Sequence, residues 1–261
     1  MQVNSLKMKV DYQKIVDYVV ESGKRLVTKT GRIADIGITK EDLTEEDIRI
    51  ERGLKEILDS FGDSHTLYAE EENDVFQNSE SLWVADPISG TGTFIKGLPH
   101  YSIVVSHLSN HKVVFAVVYD PSVDELFTAK IGEGTLLNGK RIRVSEGNSN
   151  VILRVTKVKI DIEKELISEI TRILSKYNVT TKSHSMAVDY CAVACGRYDG
   201  IVSVTKDSFP EFAGSLIIRE AGGRFANLSG EPNFLETDRA FVAGNEIIFK
   251  ELQKLIQDKV K

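Results

Sequence analysis

Apolar residues recur at helical spacing over Asp11 to Lys29, where Ile15, Val16, Val19, Val20 and Leu26 form one stripe that stops near Gly31. A second stripe, Ile48, Ile50, Leu54, Ile57 and Leu58, follows the acidic run from Asp42 to Asp47. Within that run Thr44 and Asp47 have the spacing of a capping box. His65 to Ala69 and Leu82 to Ala85 are short apolar runs with no helical stripe, which predicts buried strands. Tyr101 to His107, Lys112 to Tyr119, Glu125 to Lys130 and Arg141 to Val144 predict antiparallel strands. They are joined through Ser109-Asn110-His111, Pro121-Ser122 and Leu137-Asn138-Gly139-Lys140. After Gly147-Asn148-Ser149-Asn150 the pattern changes. Val151 to Val158 reads as a strand, Ile162 to Tyr177 as a helix, Ala187 to Cys195 as a buried helix and Ile201 to Val204 as a strand. Phe212 to Ala221 reads as a helix closed by Gly222-Gly223, and a strand near Ala240 to Ala243 precedes a helix ending at Val260. Strands alternating with helices indicate an α/β second half. The expected fold class is α/β (α+β), with two subdomains, 1–147 and 148–261, sharing a cleft.

With 261 residues, 41% of them hydrophobic, the chain can bury a large core. A net charge of -6 argues against nucleic acid or an anionic membrane as partner and favours small molecules. The first ten residues lack a signal-peptide pattern and no apolar run approaches ~20 residues, so a cytosolic protein is expected. Cys191 and Cys195 read as small core side chains, and the five histidines lie too scattered to form a ligand set.

Two acidic segments alter this picture. Glu70-Glu71-Glu72 follows the first short strand, and Asp86-Pro87, then Ser89-Gly90, follows the second. Taken singly, the first most often means a solvated loop, and the second reads equally as a capping turn. If the two strands are neighbours, their ends make a nest of oxygen ligands without Cys or His, which favours Mg²⁺ or Mn²⁺ over zinc.

The run Y-A-E-E followed by W-V-A-D-P-I-S-G-T resembles the paired metal signature of the inositol monophosphatase superfamily, which includes archaeal-type fructose-1,6-bisphosphatases and bisphosphate nucleotidases. The resemblance continues through G-L-P-H-Y-S-I-V-V-S, S-M-A-V-D-Y-C-A-V-A-C-G-R-Y-D-G and I-I-R-E-A-G-G, from about Asp42 onward. It implies a layered αβαβα sandwich, a homodimer, and Mg²⁺-dependent hydrolysis of a small phosphate monoester by a metal-activated water. Inositol-1-phosphate or fructose-1,6-bisphosphate is the substrate class ranked first, and a 3′(2′),5′-bisphosphate is the alternative.

The resemblance further assigns Glu70, Asp86 and the Ile88 carbonyl to the metal, Asp47 and Thr91 to the attacking water, and a catalytic role to Glu71. Gly90 and Thr91 would meet the phosphate, with Ser89 and Ser203 also on the substrate side. For Asp47, helix capping is an equal reading of the residues alone. Where relatives carry a second loop Asp, this chain has Ser89, and no Asp opens the helix before E-A-G-G in register. Glu211 is the nearest carboxylate, one residue out of step, and Asp207 the next. Both departures fall on one metal site. They leave open an enzyme with one firmly held metal, an introduced substitution at Ser89, or a weakly active or inactive member that binds metal and phosphate in a regulatory role.

Overall fold

The computed structural model describes residues 10–38, 42–156, 161–181, 184–205, 207–233, 235 and 237–257. The expected ends at Val158 and Val260 lie outside them. Helix α1 (Tyr12–Lys29) starts at Asp11, whose carboxylate accepts from the Gln13 and Lys14 N–H groups. It crosses α2 (Glu45–Asp59) closely enough for Tyr18 Oη to donate to the Ile50 carbonyl at 3.2 Å. Strands β1 (Thr66–Ala69), β2 (Ser81–Ser89), β3 (Ser102–Ser109), β4 (Lys112–Asp120), β5 (Glu125–Lys130), β6 (Gly134–Leu137) and β7 (Lys140–Arg141) form one sheet in chain order. All its pairs are antiparallel except β1–β2. A short helix, α3 (Thr91–Ile95), follows β2.

The second sheet comprises β8 (Asn150–Val155), β9 (Asn178–Thr181), β10 (Gly200–Val204), β11 (Arg224–Asn227) and β12 (Ala240–Gly244), ordered β11-β12-β10-β8-β9. Helices α4 (Asp161–Leu174), α5 (Met186–Ala194) and α6 (Phe209–Glu220) connect these strands, and α7 (Glu246–Gln257) follows β12.

Three apolar clusters divide the molecule into five layers. Ile15, Val19, Ile50 and Leu54 of α1 and α2 pack on one face of the first sheet through Trp83, Ile103 and Val117. The other face, through Val84, Val104 and Phe127, meets Tyr190, Cys191, Leu216 and Ile217 of α5 and α6, which also cover Ile152, Ile201 and Phe241 of the second sheet. Ile170, Leu174, Ile248 and Leu252 of α4 and α7 close the outside. The fold is an αβαβα sandwich whose central helices serve both sheets.

Some expectations change. Arg141 to Val144 is not a strand beyond Arg141. The Ile142 N–H goes to Thr135 O and the Val144 N–H to Ala221 O, so these two apolar residues pack on the central layer after the chain has left the sheet. The short strand at Leu82 to Ala85 runs on to Ser89 through a bulge between Asp86 and Ser89, and Pro87, which has no N–H, falls inside it. The fourth helix stops at Leu174, since the chain must turn into β9 at Asn178. No helix among the described residues is long and apolar enough to cross a membrane.

Candidate active site

β1 and β2 are parallel, with Tyr68 opposite Val84 and Ala69 opposite Ala85. The next residues are Glu70, just beyond β1, and Asp86, where the parallel pairing stops within β2, and both line one cleft of about 330 Å³. The same rule operates in the second sheet. β8 and β10 are parallel, with Val155 opposite Val204, and Thr156 and Thr205, the residues that follow, line the same cleft from the far side. Each sheet thus presents the carboxyl ends of a parallel pair, where α/β folds bind ligands.

Between the sheets lies the loop from Ile88 to Thr91. Gly90 has φ +87°, and a Cβ there would stand 3.0 Å from the Ser185 nitrogen, so both conformation and proximity require glycine. The Ser185 segment is fixed in turn. Its N–H donates to the His100 carbonyl at 2.9 Å, its hydroxyl meets that of Ser102 at 2.8 Å, and the buried Arg154 guanidinium donates to the neighbouring His184 carbonyl. Gly90 is the N-cap of α3, and its carbonyl takes the Thr93 and Phe94 N–H groups. The N–H groups of Thr91 and Gly92 therefore have no place in the intrahelical pattern.

Asp47 and Thr91 meet. Thr91 Oγ1 lies 2.7 Å from the Ile88 carbonyl, to which it donates, and 3.2 Å from Asp47 Oδ1. Asp47 Oδ2 accepts the Thr44 N–H at 2.8 Å and the Thr44 hydroxyl at 2.6 Å, completing the capping box of α2. Capping and contact with Thr91 thus coexist on one carboxylate. Burial pushes Asp47 up to about 7 against the hydrogen bonds from Thr44 and Thr91, and the nearby charge of Glu71 adds to the rise.

Glu71 does not line the cleft. Its N–H donates to Glu51 Oε2 at 2.9 Å, while Glu51 Oε1 takes the Glu72 N–H at 2.8 Å and the Asn73 amide at 2.7 Å. The fully buried Glu51 therefore clamps the chain just beyond Glu70. The available signal was a carboxylate on the buried stripe of α2, which has to find partners.

Ser89, 4% exposed, lines the cleft and is paired with Ser102. Glu211, on the first turn of α6, lines it too, as do Asp207 and Lys96. Burial raises the Glu211 carboxyl well above the usual range, and the charge of Asp207 adds to this. Glu211 Oε2 is buried with no hydrogen-bond partner among the described residues. Asp42, read from sequence only as part of the acidic lead into α2, joins the lining. Ser203 is not brought to the cleft. Its side chain is fully buried within β10 and its hydroxyl meets Tyr190 Oη at 2.7 Å, so no contact with a substrate is available to it.

The residues lining the cleft that carry oxygen donors include Glu70, Asp86, Ile88, Ser89 and Glu211, a donor chemistry that suits a hard divalent cation. No three His, Cys, Asp or Glu among the described residues form a closed metal-holding group.

The chain matches the sequence profile of the inositol monophosphatase family over residues 7–261. It is 30% identical over 224 residues to the fructose-1,6-bisphosphatase/inositol-1-monophosphatase of Thermotoga maritima, covering 85% of both chains. It is also 30% identical over 223 residues to the Nus factor SuhB of Pasteurella multocida, covering 83% of both. Among solved structures, the Thermotoga maritima IMPase superposes with a TM-score of 0.79 at 29% identity, covering 95% of this chain and 97% of that one.

Proposed function

Because this chain belongs to the inositol monophosphatase family, we propose that it hydrolyses a small phosphate monoester, of the inositol-1-phosphate or fructose-1,6-bisphosphate class, with Mg²⁺ as cofactor and Mn²⁺ as the alternative ion. The observation that carries this reading is the adjacency of Glu70 and Asp86 where the parallel pairing of β1 and β2 ends, in one cleft with Gly90 and Thr91. A divalent cation bound there supplies charge neutralisation of the phosphate and makes a nearby water more acidic. On this reading Glu70, Asp86, Ile88 and Glu211 hold the cation. The amides of Gly90 and Thr91 receive phosphate oxygens, and Asp47 with Thr91 orients the attacking water. Glu71 acts through its charge on Asp47. Ser89 offers the cation a neutral hydroxyl, which lowers the site's negative charge by one. A homodimer and a cytosolic setting belong to the same reading.

A second reading, a regulatory member with little turnover, is favoured by Ser89 and by the name of the Pasteurella multocida relative, Nus factor SuhB. Phosphate release from inositol-1-phosphate and fructose-1,6-bisphosphate, measured with Mg²⁺ and with EDTA, separates the two. The expected result is release that EDTA abolishes, with Ser89→Asp lowering the Mg²⁺ requirement roughly tenfold. No release from either substrate, unrescued by Ser89→Asp, leaves the regulatory reading standing.

A further inference from the structure

Glu211 stands one residue away from the place where the family motif puts an aspartate, and its side chain is one methylene longer. A longer carboxylate has more rotamers, so its aim has to be fixed by something else. The structure supplies that in a chain of three fully buried side chains from three elements. Tyr190 of α5 donates from Oη to Glu211 Oε1 at 3.1 Å. The phenol has one proton, and it is committed to Glu211. The contact of Tyr190 Oη with Ser203 Oγ of β10, at 2.7 Å, must then be a donation from the serine hydroxyl. Hydroxyl, phenol and carboxylate are polarised in one direction, each link strengthening the next.

The geometry depends on α6 itself. A Cβ at Gly214 would sit 2.5 Å from Tyr190 Cδ2, so the missing side chain lets the ring lie flat along the helix and reach back to its first turn. Phe225, with ring centroid 5.5 Å away, closes the other side. Oε1 is thereby occupied, and Oε2 is the oxygen left without a partner, on a residue that lines the cleft.

We propose that Tyr190 and Ser203 are positioning residues that hold Glu211 as an oxygen donor for the cleft's divalent cation, a role for both that rests on the metal-site reading above. Ser203 then acts on the cation through Tyr190 and not on the substrate.

Binding of Mn²⁺ to the purified full chain, followed by electron paramagnetic resonance, tests this without reference to turnover. Tyr190→Phe keeps the ring and removes one O–H, and is expected to weaken Mn²⁺ binding roughly tenfold or more while lowering the thermal midpoint by only a few degrees. Ser203→Ala is expected to weaken it less, in the same direction, and decides the matter if Tyr190→Phe does not fold. Glu211→Gln and Glu70→Gln serve as references. Should Glu211→Gln weaken Mn²⁺ while Tyr190→Phe and Ser203→Ala stay within twofold of the parent, the positioning roles are wrong and the metal site stands. Should Glu211→Gln alone among the references have no effect, Glu211 is not a donor and the inference falls with it. Should Glu70→Gln also have none, the metal-site reading itself is lost.

Discussion

The Asp47 carboxylate takes two hydrogen bonds from Thr44 on one oxygen and faces Thr91 with the other, while wholly removed from solvent. An ionised group so placed costs stability, and its rise to about 7 measures that cost. A carboxyl raised in the folded state favours folding fully below its unfolded value near 3.8, and this contribution disappears as pH rises through about 7. Asp47→Asn removes the titration and keeps an acceptor for the Thr44 N–H. The variant is therefore expected to be more stable than the parent at pH 8, by at most roughly 4 kcal/mol. The gap should narrow toward pH 4, while phosphate release falls by roughly 100-fold or more. Urea unfolding at both pH values checks the first part and initial rates the second; an Asn variant less stable at pH 8 contradicts the account. Asp86, Gly90 and Thr91 were legible because a motif and a strand end coincide there. Thr156 and Thr205 were not, since their pairing depends on a register between strands some fifty residues apart. The Ser203 assignment failed for a related reason: its partner comes from another element, α5.

At the far ends of β1 to β3, away from the cleft, a hydrogen-bonded row links α1 to β2, β3 and the residue before β1. Trp83 Nε1 donates to His65 Nδ1 at 3.3 Å, so that nitrogen is an acceptor. The Ser81 hydroxyl, 2.7 Å from the same atom, must then donate to it and accept from His107 Nε2 at 2.9 Å, which leaves His107 Nδ1 to accept from Tyr12 Oη at 2.8 Å. With Trp83 as the fixed donor, this direction leaves both rings neutral. Burial, with some help from His65, brings His107 down to about 4, and burial lowers His65 as well. A histidine lowered on folding makes the unfolded chain bind more protons between the two values, so stability falls as pH drops from 6.5 to about 4. His107 alone contributes ~3 kcal/mol of that loss. Unfolding midpoints across this window should therefore fall more steeply for the parent than for His107→Gln, and equal slopes exclude the row as the source. The strands and helices with one buried face were readable from their periodicity. The strands that were missed are β6, only four residues long, and the two edges of the second sheet, β9 and β11; β9, Asn178–Thr181, is polar and mostly exposed, so no alternation marks it.

Across the whole molecule, the five-layer arrangement sets the carboxyl ends of the parallel pairs β1–β2 and β8–β10 against each other and gathers charge between them. Asp42, Glu70, Asp86, Asp207 and Glu211 line the cleft, against Lys96 as the cation among its described lining residues, on a chain of net charge -6. Ions in bulk solvent screen charges over about 8 Å at physiological salt, but carboxylates facing one another across a narrow cleft are screened much less. A phosphate dianion is therefore repelled from the cleft whose amides would receive it, unless positive charge has entered first. Burial raises the Glu211 carboxyl and so disfavours its charged form, which a cation beside it would favour. Cation and phosphate should thus bind with positive coupling of roughly 10- to 100-fold, and linkage requires the same factor whichever is added first. Calorimetric titration of inorganic phosphate into the chain should give no measurable heat of binding in EDTA and clear binding in Mg²⁺. The reverse titration of Mg²⁺ should tighten by the same factor when phosphate is present. Phosphate binding equally tight with and without Mg²⁺ requires a positive group in the cleft beyond Lys96, and removes the electrostatic reason for placing a cation beside Glu70 and Asp86.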